Sequence, residues 1–102
     1  NARFRVLELL KNNFGPGDKV VKAENAGPYV YALAAINPNG ERKLLLVNKR
    51  DRDFELTLPG RASGVQYVDQ TTKGDPPARQ SLSGDKLTLR GFGVAVATII
   101  GK

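Results

Sequence analysis

The chain contains no cysteine and no histidine. Without cysteine there is no disulfide to staple the fold, no thiolate to bind a metal or attack a substrate, and no redox signature from which to read a compartment. Without histidine the commonest general base and the commonest metal ligand are both missing. Any catalysis would have to run on carboxylates, lysine, tyrosine or hydroxyls. Tryptophan is also absent, which leaves Tyr29, Tyr31 and Tyr67 as the aromatic residues with a polar handle. No apolar stretch approaches the roughly 18 residues that cross a bilayer as a helix, and the first residues lack the charged, apolar and small-residue order of a secretion signal. The sequence begins at Asn1 in mid-pattern, as expected of a piece of a longer polypeptide.

What is present amounts to one domain. A chain of 102 residues buries roughly 60 to 65 per cent of the surface that its unfolded form exposes, enough for a single core. Sixteen lysines and arginines against ten acids leave a formal charge of +6. That field attracts polyanions. The basic residues are nevertheless spread over the whole chain and often flanked by acids, as in Lys49 to Asp53, which is the pattern of a solubilising surface and does not favour nucleic acid as a partner.

The first fourteen residues predict one short helix. Phe4, Leu7, Leu10 and Phe14 fall at three- and four-residue spacing, and Val6 and Leu9 widen the apolar stripe. Asn1 can cap its start, and Gly15-Pro16-Gly17 stops it. A helix this short must dock on something to persist. Residues 18–100 then read as strands. Lys19 to Ala23 ends in the turn Glu24-Asn25-Ala26-Gly27-Pro28. Tyr29 to Ile36, apolar on both faces, reads as central, and Asn37-Pro38-Asn39-Gly40 suits a type I turn. Leu44 to Val47 is a continuous apolar run, whereas Phe54, Leu56 and Leu58 alternate with polar residues. The short polar link between them favours an antiparallel hairpin. Pro59 to Gly64 breaks the pattern and Val65 to Asp69 resumes it. Gln70 to Pro77 should lie outside the sheets because its prolines cannot donate to a ladder. Gln80–Leu82 and Lys86–Leu89 around Ser83-Gly84-Asp85 read as a second hairpin, and Phe92 to Ile100 closes the chain. With nothing long enough for a crossover helix, the expected fold is all-β, an antiparallel two-sheet β-sandwich of seven or eight strands preceded by one short N-terminal α-helix, with a small closed barrel as the competitor.

Few residues carry chemistry. The charged cluster Lys49-Arg50-Asp51-Arg52-Asp53 reads as a solvated tip whose ions partly pair with one another. Asp51 and Asp53 are the nearest approach to a carboxylate pair for glycosidic hydrolysis, but neighbouring arginines hold carboxylates ionised, whereas a general acid needs its pKa raised. Tyr29 and Tyr31 lie two apart, so one strand face could offer them as a stacking platform for a sugar, with Tyr67 as a third candidate. Gly91-Phe92-Gly93 is not placed between a strand and a helix, so close packing or a bulge is expected there and not a phosphate cradle. No metal-ligand spacing, nucleotide loop or nucleophile elbow is present, and no cofactor is expected.

Val30-Tyr31-Ala32-Leu33 leads into Lys43-Leu44-Leu45-Leu46-Val47-Asn48-Lys49. Phe54-Glu55-Leu56-Thr57-Leu58 follows, and then Leu87-Thr88-Leu89 with Gly91-Phe92-Gly93-Val94-Ala95-Val96. In these segments the chain resembles the small β-sandwich domain that follows the catalytic (β/α)8 barrel in many clan A retaining glycoside hydrolases, of the β-xylosidase, arabinofuranosidase and β-glucuronidase types. Asn1 to Phe14 is similar to the helical run that leaves the barrel. The resemblance covers nearly the whole chain. It implies a C-terminal accessory domain packed on the barrel of its own polypeptide, with the catalytic glutamates in that barrel; no position here matches their motifs. It also implies that such sandwiches often take a strand from the segment before the barrel, whose loss would leave an open edge for self-association.

Three readings of function follow. The first is a non-catalytic domain that braces a glycoside hydrolase barrel, with Phe4, Leu7 and Leu10 in the contact. The second is a carbohydrate-binding module that uses Tyr29, Tyr31 or Tyr67, with a glycan as partner. The third is a basic domain for polyanions. None involves a membrane.

Overall fold

Among the described residues the spaced apolar residues near the start become one helix, and the short runs after it become eight strands. The structure is a computed structural model and describes residues 2–25, 29–82 and 84–101. Helix α1 spans Ala2–Asn13, and the strands are β1 (Lys19–Asn25), β2 (Val30–Ile36), β3 (Arg42–Asn48), β4 (Phe54–Thr57), β5 (Arg61–Val68), β6 (Ala78–Gln80), β7 (Lys86–Leu89) and β8 (Val94–Gly101). One sheet has six strands in the order β1-β2-β3-β8-β5-β6, each neighbouring pair antiparallel, and β4 and β7 form a second antiparallel sheet of two. The fold is therefore an all-β, antiparallel two-layer sandwich with a single N-terminal helix. The larger sheet is open, with β1 and β6 at its edges. Among the described residues no helix is long and apolar enough to cross a membrane.

The core lies between the layers. Leu44 and Leu46 of β3, Ala95 and Ala97 of β8, Val30 of β2 and Val65 of β5 pack with Leu87 and Leu89 of β7. On the far face of the six-stranded sheet Val68 and Val96 meet Leu9 of α1, with Val6, Phe14, Leu45 and Val94 around them. β3 and β8 are covered on both sides, which accounts for their unbroken apolar runs.

The hairpin expected between Leu44–Val47 and Phe54–Leu58 does not form. β3 is flanked by β2 and β8, and β4 pairs with β7, so residues 49–53 cross from one sheet to the other. The physical reason is burial: a strand apolar on both faces belongs in the middle of a layered structure, where both its edges are taken, whereas the alternating β4 needs only one covered face. The second expected hairpin fails for a related reason. β6 pairs with β5 at the edge of the large sheet and β7 pairs with β4, so the segment between them also changes layers.

Two further differences are local. The predicted break at Pro59 to Gly64 is partly strand, because β5 starts at Arg61 and absorbs Ser63 as an irregularity between Ala62, opposite Ile99, and Gly64, opposite Thr98. A bulge of this kind lets one extra residue pass without losing the ladder. β1 runs on to Asn25 and carries a similar irregularity at Val21. The turn at residues 37–40 is closed by the Gly40 N–H donating to the Asn37 carbonyl at 2.9 Å, with Gly40 at φ 86°. Tyr29 precedes β2, which is an interior strand between β1 and β3. Asn1, Ala26 to Pro28 and Ser83, invoked for a helix cap and two turns, lie outside the described residues.

Candidate functional site

The apolar stripe of the helix divides between two surroundings. Leu9 is fully buried against the sheet, and Asn13 is also buried, its Nδ2 donating to the Leu9 carbonyl at 2.9 Å and to Gln66 Oε1 at 3.2 Å. Arg5 adds a tether by donating from Nε to the Gly74 carbonyl at 2.9 Å in the β5–β6 connection, while its Nη1 pairs with Glu8. The docked face thus runs through Val6, Leu9 and Asn13. Phe4 and Leu7 turn outward and are 56% and 60% exposed, and Leu10 is half-buried. Phe4 and Leu7 thus place two large apolar side chains on the exposed side of the helix.

The charged tip lies at one end of the sandwich and is organised differently from the expectation. The Arg50 guanidinium sits 3.8 Å from the ring centre of Tyr29, Arg52 lies 5.0 Å from that of Phe54, and the Tyr29 and Phe54 rings are 6.3 Å apart. The Lys49 ammonium lies 5.7 Å over Tyr31. These cations are placed on rings, where a weakly hydrated guanidinium gains both stacking and electrostatic attraction. The carboxylates face the β7–β8 turn. Asp53 accepts from Arg90 Nη1 at 2.8 Å and from the Gly91 N–H at 3.0 Å, and Asp51 accepts from Gln70 Nε2 at 2.9 Å.

Behind the tip stands a residue that the sequence reading passed over. Asn48, 2% exposed, donates through Nδ2 to the carbonyls of Arg52 (2.7 Å), Arg90 (2.9 Å) and Leu89 (3.3 Å), and its Oδ1 accepts from the Arg50 N–H at 2.9 Å. One amide thereby ties the sheet-crossing link to the β7–β8 turn. A polar residue ending an apolar strand was the available signal. The glycines of that turn are needed for close approach: a Cβ on Gly91 would lie 3.0 Å from the Arg52 nitrogen, and one on Gly93 would lie 2.8 Å from the Arg90 carbonyl oxygen. Of the two expectations for this segment, close packing or a bulge, these distances correspond to the first. Phe92 between them is exposed at φ 54°.

This arrangement does not prepare a general acid. The hydrogen bond from Arg90, with that from the Gly91 N–H, lowers the pKa of Asp53, outweighing the opposing desolvation. A group whose folded pKa lies below its unfolded value contributes stability that is complete above the unfolded value and is lost as pH falls through the folded one. The thermal midpoint of the native chain should therefore fall more steeply below about pH 4 than that of Asp53→Asn, with a small amplitude because the pair is solvent-exposed. Parallel acid limbs for the two proteins would contradict this.

The three tyrosines are not brought together as one surface. Tyr29 and Tyr31 are half-buried beneath Arg50 and Lys49, and Tyr67 packs beside the core on β5. Among the described residues no cluster of acids is arranged to hold a metal ion.

Comparison with known proteins agrees with the architecture. A crystal structure of a GH30 endoxylanase from Clostridium papyrosolvens superposes with a TM-score of 0.71 at 19% identity, over 95% of this chain and 27% of that one. The chain therefore spans about a quarter of the enzyme that it matches. No curated protein matches the sequence. Residues 28–97, well over half of the sequence, match the family of the C-terminal immunoglobulin-like domain of D-apionate lactonase, and the chain belongs to that family.

Proposed function

We propose that this domain is the non-catalytic partner of a catalytic (β/α)8 barrel of glycoside-hydrolase type in the same polypeptide, and that it packs against the barrel and stabilises it. The observation that carries this reading is the helix: Leu9 anchors α1 to the sheet while Phe4 and Leu7, more than half exposed, face away from it. Exposed apolar side chains grouped on one element mark interaction sites. The family, named for a C-terminal domain of a lactonase, and the shared fold with about a quarter of an endoxylanase support an accessory role beside a larger hydrolase. Among the described residues the two-stranded layer of β4 and β7 has no further strand at its edges, and a strand from the segment ahead of the barrel would fit there, as the family resemblance implies.

The test uses the full-length parent. Phe4→Ser combined with Leu7→Ser is expected to lower the thermal inactivation midpoint of the catalytic domain by several degrees. The same pair should change the stability of this domain by no more than about 1 kcal/mol, two surface substitutions of up to about 0.5 kcal/mol each. An unchanged inactivation midpoint would remove the bracing role.

A further inference from the structure

A cleft of about 270 Å3 opens between the two layers, beside the edge of β7 that does not face β4. It is lined by Tyr67 from β5, Gln80 from β6, Thr88 from β7, Asp69 after β5, and Arg90 and Gly93 from the β7–β8 turn. We propose that this cleft binds a single neutral sugar ring, either a free monosaccharide or the terminal residue of a glycan.

The lining has the composition that a polyol requires. Every sugar hydroxyl both donates and accepts, so its site needs donors and acceptors together with an apolar surface for the ring C–H groups. Asp69 supplies an acceptor, Arg90 supplies donors, Gln80 and Thr88 supply both, and Tyr67 adds a hydroxyl and a ring. Much of this capacity is uncommitted. Arg90 spends Nη1 on Asp53, Asp69 spends Oδ1 on Thr71, and the side chains of Tyr67, Gln80 and Thr88 make no hydrogen bond to any described residue. The walls are also held in place. The Asp69 carbonyl accepts from Thr72 Oγ1 at 2.9 Å, the Asp69 N–H donates to Thr72 Oγ1 at 3.1 Å, and Gly93 packs so closely that a Cβ would lie 3.3 Å from Asp69 Cβ. Such fixing lowers the entropic cost of binding.

Size and charge narrow the ligand. The volume lies just under the roughly 300 to 1,000 Å3 typical of drug-sized sites, which suits one ring and excludes a chain of them. An acidic ligand would face the carboxylate of Asp69, and the charge of Arg90 is already paired with Asp53. An apolar ligand would leave several polar groups without partners. The site involves neither α1 nor the Tyr29 and Tyr31 rings, so it stands apart from the bracing role and can fail without it.

The experiment is a 15N–1H NMR titration of the chain with the methyl glycosides of xylose, arabinose, glucose and galactose. At least one glycoside should shift the amides of Tyr67, Asp69, Gln80 and Thr88 saturably, with a dissociation constant in the millimolar range. Tyr67→Phe and Gln80→Ala keep the ring and the backbone, and each should weaken binding about two- to tenfold, the effect of one neutral hydrogen bond. Unchanged spectra away from the cleft would verify that the variants fold. The proposal is overturned if no glycoside gives a saturable shift, if glycerol reproduces the same shifts, or if both variants bind as the native chain does.

Discussion

Replacing Asn48 by leucine is expected to destabilise the domain by about 3 kcal/mol, because a side chain of similar volume leaves the Arg50 N–H and the Arg52 carbonyl without their side-chain partner in a largely buried site and leaves the Arg90 carbonyl with the Gly93 N–H alone. For a domain of this size that corresponds to a fall in the thermal midpoint on the order of 10 to 20 °C. Asn48→Asp separates the lost hydrogen bonds from a packing effect. The carboxylate is nearly the same shape and can still accept from Arg50, but it has no donors and faces carbonyl oxygens. Burial among those oxygens raises its folded pKa above the unfolded value, so protonation restores a donor. The penalty should accordingly be largest above the folded pKa and shrink as pH falls, the opposite of the behaviour expected for Asp53. A loss of less than about 1 kcal/mol in Asn48→Leu, within the range of ordinary substitutions, would mean that the link between the sheets is held by something else.

Leu9→Ala should cost about 2 to 5 kcal/mol, as for other large-to-small changes in closed cores. Leu9 is fully buried where α1 meets Val68 and Val96, and Arg5 and Asn13 hold the helix on either side, so the cavity cannot close by a small shift. Leu7→Ala, two residues earlier in the same helix, should alter stability by no more than about 0.5 kcal/mol in this domain. Urea unfolding measures both, with unchanged slope and a shifted midpoint for Leu9→Ala. Equal effects at the two positions would place the docked face elsewhere and would undo the argument that Leu7 is available to a neighbour.

The comparison of Leu7 and Leu9 shows where sequence reading stops. The three- and four-residue spacing from Phe4 to Phe14 was enough to predict the helix, and Gly15-Pro16-Gly17 its end, because both depend on backbone geometry within one or two turns. Which side of a broad apolar stripe would dock was not legible: Val6 and Leu9 looked like its margin and prove to be its centre. The strands show the same division. Runs such as Leu44 to Val47 disclosed burial on both faces, but strand partners were inferred from proximity in sequence, and proximity misled twice. A five-residue link can close a hairpin or step between layers, and the choice rests on contacts with β8 and β7, which are distant in the chain.

The sites divide along similar lines. That Asp53 is held ionised could be read from the arginines near it, although the cation that holds it is Arg90, far along the chain. The cleft of Tyr67, Asp69, Gln80, Thr88 and Arg90 left no local signal, since its members come from three strands and two connections.

From composition and spacing alone came the absence of histidine and cysteine side chains, a helix followed by short strands, and a layered all-β architecture. These are properties of residue types and of periods shorter than about one helical turn or one strand pair. Only the tertiary structure decided which strands pair, which face of the helix is covered, and which polar groups converge between the layers. Those outcomes depend on competition among distant segments for the same buried surface, and no local pattern records the winner.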